Sequence, residues 1–289
     1  MAVIERVGVV GCGLMGSGIA EVCARAGMDV VVREYDAAAA EAGLGRIRTS
    51  LDRAVRAGKL DEQGRDEAFG RISLTTDYAE LSDRQIVIEA VVEDESVKSE
   101  VFATLDKVVE APDAILASNT SSIPVMKLGM ATSRPEQVVG VHFFNPVPVL
   151  RLVELVTSLL TSPETTERAS EFATGPLGKR VIRSQDRAGF IVNALLIPYI
   201  LSAIRMMESG FASADDIDTG MVEGCAHPMG PLRLADLIGL DTTMAVAESL
   251  YEEFKEPLYA APPLLSRMVD AGLLGRKAGR GFYDYHAAK

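Results

Sequence analysis

The hexapeptide VHFFNP, Val141 to Pro146, holds His142, one of three histidines in a chain of 289 residues. An imidazole exchanges a proton near neutral pH without help from its surroundings. At the end of an apolar run and before Asn145-Pro146, His142 is either a core histidine or a general base for a hydroxyl proton. His286 lies in the C-terminal tail and His227 in the turn-like AHPMGP. His142 alone falls at the end of a candidate strand in an α/β pattern, where doubly wound folds place ligands. Glu154 lies in the next candidate strand, Arg151–Val156. If the chain folds back through Asn145–Pro148, that carboxylate reaches the imidazole, fixes its tautomer and stabilises the imidazolium. Alternatively Glu154 is the polar face of RLVELV, and periodicity alone does not separate the two.

Two other polar features stand out against apolar surroundings. Ser118-Asn119-Thr120-Ser121-Ser122 follows the apolar run Ala114–Ala117 and is either a turn or part of a site. Asn193 sits inside GFIVNALLIPYILSAIRMM, where a carboxamide needs a hydrogen-bond partner in backbone or substrate.

The elements that must position these groups begin with Arg6–Val10, a β-rich run leading into Gly11-Cys12-Gly13-Leu14-Met15-Gly16 and an Ala-rich helix to Arg25. Strand, glycine turn and helix are the context for a dinucleotide pyrophosphate. Gly11 permits the tight turn, Gly13 admits the phosphates, and Gly16 lets helix and strand pack. Free N–H groups at the helix start receive the anion. Glu34 closes the second strand, about 20 residues downstream, and suits the ribose hydroxyls of NAD. Its charge disfavours the 2′-phosphate of NADP, whereas Arg33 beside it could accommodate that phosphate.

A helical insertion of two helices, residues 37 to about 70 with a break near Gly58, precedes further candidate strands at Ile72–Thr76, Gln85–Val92, Ala114–Asn119, Val138–Phe144, Arg151–Val156 and Lys179–Ser184. From Gly189 onward the pattern is helical, without a convincing strand. The expected fold is therefore a Rossmann-type α/β domain over residues 1–185, then an all-helical domain over 186–289. Gly189–Met207 is expected to be a helix buried on most sides, in a domain or subunit interface, because Asn193, Pro198 and Arg205 suit a membrane span poorly.

Composition narrows the function classes. A formal net charge of −12 speaks against general binding to nucleic acid or anionic membranes. A local basic patch can still hold an anionic small ligand. Cys12, Cys23 and Cys225 have neither metal-ligand spacing nor an obvious disulfide pairing, which fits a reduced, cytoplasmic compartment. Glu5 and Arg6 near the N-terminus argue against a signal peptide there.

Together GCGLMG, SNTSS, HFFNPVP, RLVELV, GFIVN and the C-terminal KAGRGFYDY resemble the L-3-hydroxyacyl-CoA dehydrogenase family, over nearly the whole chain and in the same order. Within it the chain is similar to the short, stand-alone 3-hydroxybutyryl-CoA dehydrogenases. The resemblance implies NAD as cofactor, an acyl-CoA substrate and a homodimer through the C-terminal helices. It implies His142 as base, Glu154 as its partner, and Ser121 and Asn193 on the substrate oxygens. The turn residues Gly11, Gly13, Leu14, Met15 and Gly16, with Glu34, Glu93, Lys98, Asn145 and Lys277, are implied on the cofactor side. Ser50, Arg46 and Arg53 share one helical face of the insertion and would meet CoA phosphates, or else form a solvated face paired with Glu41 and Asp52. Arg56 and Lys59 are both candidates for the family's lysine in that insertion. Glu34 stands where Asp is more usual, and Ala188 where a proline commonly precedes Gly-Phe. Rival readings are a polyol or hydroxy-acid dehydrogenase without CoA, and a non-catalytic NAD-binding protein.

Overall fold

The runs that read as apolar from end to end become the interior of one sheet. The computed structural model describes residues 3–286. The chain divides into two units, one ending at Arg187 and the other beginning at Ala188.

In the first unit, β1 (Arg6–Val10), β2 (Asp29–Arg33), β3 (Ile72–Thr75), β4 (Ile86–Glu89), β5 (Ile115–Ser118), β6 (Val138–Phe143), β7 (Leu152–Thr157) and β8 (Arg180–Gln185) form an eight-stranded sheet ordered β3-β2-β1-β4-β5-β6-β7-β8. All neighbouring pairs are parallel except β6 with β7. The parallel centre explains the continuous apolar runs, since β4 and β5 are buried along their whole length.

Helix α1 (Leu14–Arg25) packs Ile19, Ala20, Cys23 and Ala24 into the core and stops at Gly27, whose φ is 90°. The insertion is α2 (Ala37–Arg56) and α3 (Glu62–Gly70), with Gly58 at φ 66° between them. Each starts on an aspartate cap: Asp36 accepts from Ala39 N–H and Asp61 from Gly64 N–H, both at 2.7 Å. Loss of such a cap typically costs about 1 kcal/mol. Helices α4 (Glu95–Val108), α5 (Val125–Met130) and α6 (Pro163–Thr174) complete the unit.

The second unit contains α7 (Val192–Glu208), α8 (Ala214–Cys225), α9 (Pro231–Ile238), α10 (Leu240–Phe254) and α11 (Pro263–Asp270) around Ile200, Leu201, Ile204, Leu232, Leu250 and Leu265. Helix α7 departs from its expected burial. Within this chain one face is covered, through Ile197, Ile200, Leu201 and Ile204, while Leu195 is 73% exposed.

Helical periodicity also does not foresee the end of the chain. There Gly275 bridges Arg280, and Arg280 bridges Asp284. Buried Asp236 organises this turn by accepting Phe282 N–H, Tyr283 N–H and Tyr285 O–H at 2.9 to 3.0 Å. A Cβ on Gly281 would fall 1.9 Å from Asp236 Oδ1, which is why GRGFYDY needs glycine there. Among the described residues no helix is long and apolar enough to cross a membrane.

Candidate active site

Strands β1, β4, β5 and β6 run the same way, so their C-terminal ends share one edge of the sheet. At β1 the glycine turn has the shape that a dinucleotide requires. Gly11 has φ 91°, and a Cβ there would lie 2.7 Å from Ala90 O; a Cβ on Gly16 would lie 1.8 Å from Gly11 O. These two positions close the turn sterically. At Gly13 nothing lies within 4 Å of the missing Cβ, so the turn is open to a ligand beside the start of α1.

A cavity of about 720 Å³ opens here, lined in part by Gly11, Gly13, Leu14, Met15, Arg33 and Glu34. Gly16 shapes the turn without lining the cavity. Glu34 is folded against the backbone, accepting Cys12 N–H on Oε1 at 2.5 Å and Tyr35 N–H on Oε2 at 3.0 Å. A helix N-terminus, an open glycine and an acid at the end of β2 suit a pyrophosphate and an adjoining ribose. Arg33 lies over the Tyr78 ring, with its guanidinium carbon 3.9 Å from the ring centroid.

The antiparallel turn between β6 and β7 sets His142 directly opposite Glu154. Imidazole Nδ1 and carboxylate Oε2 are 2.7 Å apart, and both side chains are buried. The expected fold-back thus brings these two groups together. The Phe144 ring packs on the imidazole, centroids 4.6 Å apart, and Phe143 N–H donates to Asn119 Oδ1 at 2.9 Å.

Glu93, Lys98 and the SNTSS segment form a second cluster at the same edge. Glu93 Oε1 accepts Thr120 O–H at 2.5 Å, Ser121 N–H at 2.9 Å and Ser122 N–H at 3.1 Å. Its Oε2 lies 3.1 Å from Lys98 Nζ. Burial pushes the Glu93 carboxyl up, but Lys98 and these hydrogen bonds outweigh it and hold the carboxyl below its ordinary value. Lys98 is buried and also pairs with Glu89 at 2.6 Å, and Glu89 Oε2 accepts Ser118 O–H at 2.6 Å.

A separate cavity of about 680 Å³ is lined in part by Glu21, Arg46, Ser50, Arg53, Asn145 and Val147. It gathers the basic face of α2 as the spacing predicts. Neither Arg46 nor Arg53 pairs with Glu41 or Asp52; Asp52 faces Arg65 at 3.5 Å. Arg46 donates through Nη2 to Cys12 O at 2.7 Å. Burial raises the Glu21 carboxyl, against the pull of Ser50 and Arg25. Arg56 and Lys59 are exposed and do not line this cavity. Asn145 lines it together with the α2 residues and is not among those lining the glycine-turn cavity. In the second unit, Asn193 lies in the first turn of α7, half-buried, and Lys277 pairs with Asp241 at 2.6 Å.

Neither Glu89 nor Lys179 belongs to a motif that the sequence singles out, whereas Asn119 lies in the SNTSS cluster. Glu89 had a visible signal, a carboxylate inside the apolar run QIVIEAVV. Lys179, whose Nζ donates to Val147 O at 2.5 Å and Leu150 O at 2.7 Å, had none.

A Rossmann sheet carrying a His–Glu pair at its strand ends is the plan of a dinucleotide-dependent dehydrogenase. Similarity to known proteins narrows that class. The family model described as 3-hydroxyacyl-CoA dehydrogenase, NAD binding domain, matches residues 6–187, and the C-terminal domain of the same family matches residues 189–285. A relative from Mycobacterium tuberculosis named 3-hydroxybutyryl-CoA dehydrogenase is 63% identical over 98% of this chain and 99% of its own length. The crystal structure of M. tuberculosis FadB2 superposes with a TM-score of 0.97 at 62% identity, covering 98% of this chain and 100% of that one. The (S)-3-hydroxybutyryl-CoA dehydrogenase PaaH1 from Ralstonia eutropha gives 0.92 at 46% identity, covering 98% and 99%. The chain belongs to the 3-hydroxyacyl-CoA dehydrogenase family.

Proposed function

We propose that this chain interconverts short-chain (S)-3-hydroxyacyl-CoA, such as 3-hydroxybutyryl-CoA, and the matching 3-oxoacyl-CoA, such as acetoacetyl-CoA, with NAD(H). The observation that carries this is the 2.7 Å pairing of His142 with Glu154 at the strand ends, in a chain 63% identical to a protein named for that activity. Bound at the glycine turn, NAD supplies the hydride acceptor for C3 of the substrate.

His142 takes the 3-hydroxyl proton at Nε2, since Nδ1 is committed to Glu154. Glu154 holds the ring in the tautomer that leaves Nε2 basic, and it stabilises the imidazolium that results. In the reductive direction the same imidazolium returns the proton to the forming hydroxyl. Ser121 and Asn193 hold the substrate oxygens. Phe144, packed on the imidazole, limits water around the base.

Glu34 favours NAD over NADP, because its carboxylate occupies the ribose end of the cavity. Glu93, Lys98, Asn145 and Lys277 serve the cofactor side, and Arg46, Ser50 and Arg53 receive the CoA phosphates. The unit that ends at Arg187 serves as the dinucleotide domain and the one that begins at Ala188 as the substrate domain, two residues beyond the boundary expected from sequence. The exposed apolar side of α7, Leu195 included, joins two copies into a homodimer in the cytoplasm.

The test is the fall in NADH absorbance when purified protein meets acetoacetyl-CoA, with acetoacetate and NADPH in parallel. Rapid loss with the thioester and NADH alone supports the proposal. Turnover of free acetoacetate would instead point to a hydroxy-acid dehydrogenase without CoA. Silence with every substrate despite NAD binding would mark a non-catalytic protein.

A further inference from the structure

We propose that Arg33, whose guanidinium lies over the Tyr78 ring, is the residue on which the adenine of the cofactor stacks. The inference rests on the dinucleotide reading of the glycine-turn cavity.

If the pyrophosphate meets the turn and the ribose meets Glu34, the next group along the molecule is the base. It enters the part of the same cavity that Arg33, Tyr78, Val97 and Val101 line. Three observations mark Arg33 among these. Its side chain forms no hydrogen bond or ion pair among the described residues, and its Nε is buried without a partner. The neighbouring acid does not neutralise it, because Glu34 directs its oxygens to Cys12 N–H and Tyr35 N–H. Finally, the guanidinium carbon lies 3.9 Å from the centroid of the Tyr78 ring, so one aromatic contact is already made.

A guanidinium is flat, weakly hydrated and stacks on aromatic faces, and it does so most freely when no carboxylate claims it. The second face of Arg33 supplies a preset platform for a purine, with Val97 and Val101 completing an apolar slot. Tyr78, Arg33 and adenine then form three layers. Stacking sets affinity for the adenosine half and leaves the hydride-transfer end untouched.

Calorimetric titration of wild type, Arg33→Lys and Arg33→Ala with ADP-ribose, 2′-phospho-ADP-ribose and nicotinamide mononucleotide tests this. Lysine keeps the charge and removes the plane. Both variants should bind ADP-ribose about tenfold more weakly, the scale of one base-stacking contact, with nicotinamide mononucleotide unchanged. The thermal midpoint of Arg33→Lys, expected near that of wild type, separates this loss from misfolding. Wild-type affinity for ADP-ribose in Arg33→Lys would overturn the proposal, because charge alone would then suffice. A loss confined to 2′-phospho-ADP-ribose would also overturn it and make Arg33 a phosphate reader. Failure of the wild type to bind ADP-ribose at all would remove the dinucleotide reading, and this proposal with it.

Discussion

His142 and Glu154 face each other because β7 returns against β6, and their 2.7 Å contact ties the chemistry to a backbone register. His142→Ala should lower kcat by roughly 10² to 10⁴, the usual worth of a positioned general base. Glu154→Gln should lower kcat on a similar scale, because an amide can hold the ring in the wrong tautomer. NADH affinity should stay near wild type in both, which a fluorescence titration beside the kinetics would check. A kcat within threefold of wild type in Glu154→Gln would reduce Glu154 to the polar face of its strand. Lys179 bears on the same pair through the loop between their strands. Its ammonium ties Val147 O and Leu150 O, in the loop that joins the two strands. Lys179→Met leaves those carbonyls without their donor and should destabilise the fold by about 1–3 kcal/mol, read from the denaturant midpoint. An unchanged midpoint would mean that water replaces the ammonium without loss.

Among the elements, the loop after β4 and the SNTSS segment after β5 are joined by one carboxylate, Glu93. Its folded-state pKa lies below the ordinary value, so it binds protons more weakly than in the unfolded chain. The stability it contributes is therefore complete above about pH 4.3 and disappears as pH falls through the lowered folded value. Glu93→Gln should flatten part of the acid limb of stability against pH below about pH 5. If wild type and variant run parallel there, solvent screens this tie and the segment is held by Thr120 alone. This joint also marks where sequence legibility ends. The glycine turn was readable because its demands are local: a positive φ at Gly11, and no room for a Cβ at Gly16. The His–Glu pair depends on a register that alternation leaves open, and only the motif set spoke for it. Glu89 stood out as a carboxylate in an apolar run, but its partners were hidden, because Lys98 and Ser118 lie 9 and 29 residues away in the chain. The C-terminal turn was invisible for the same reason, since Asp236 binds it from 46 residues away. The residue types were legible, and their long-range partners were not.

At the scale of the whole molecule, a chain with formal charge −12 is proposed to bind a polyanionic thioester through a cavity lined by Arg46 and Arg53. The two fields act over different distances. At 10 mM ionic strength the Debye length is about 30 Å, so an approaching phosphate meets the net negative charge of the molecule. At 150 mM it is about 8 Å, and the arginines a few ångströms away dominate. Free CoA should therefore bind more tightly at 150 mM than at 10 mM, opposite to the trend for a uniformly basic binder. A neutral thioester of N-acetylcysteamine, which lacks the nucleotide, should give a KM that hardly changes over the same range. Arg53→Gln should weaken CoA binding at both salt concentrations and leave the KM of the truncated thioester unchanged. Calorimetry of CoA at the two ionic strengths is the check. Weaker binding at 150 mM would mean that the basic cavity governs the encounter even at long range, and that the acidic surface lies away from the path by which CoA enters.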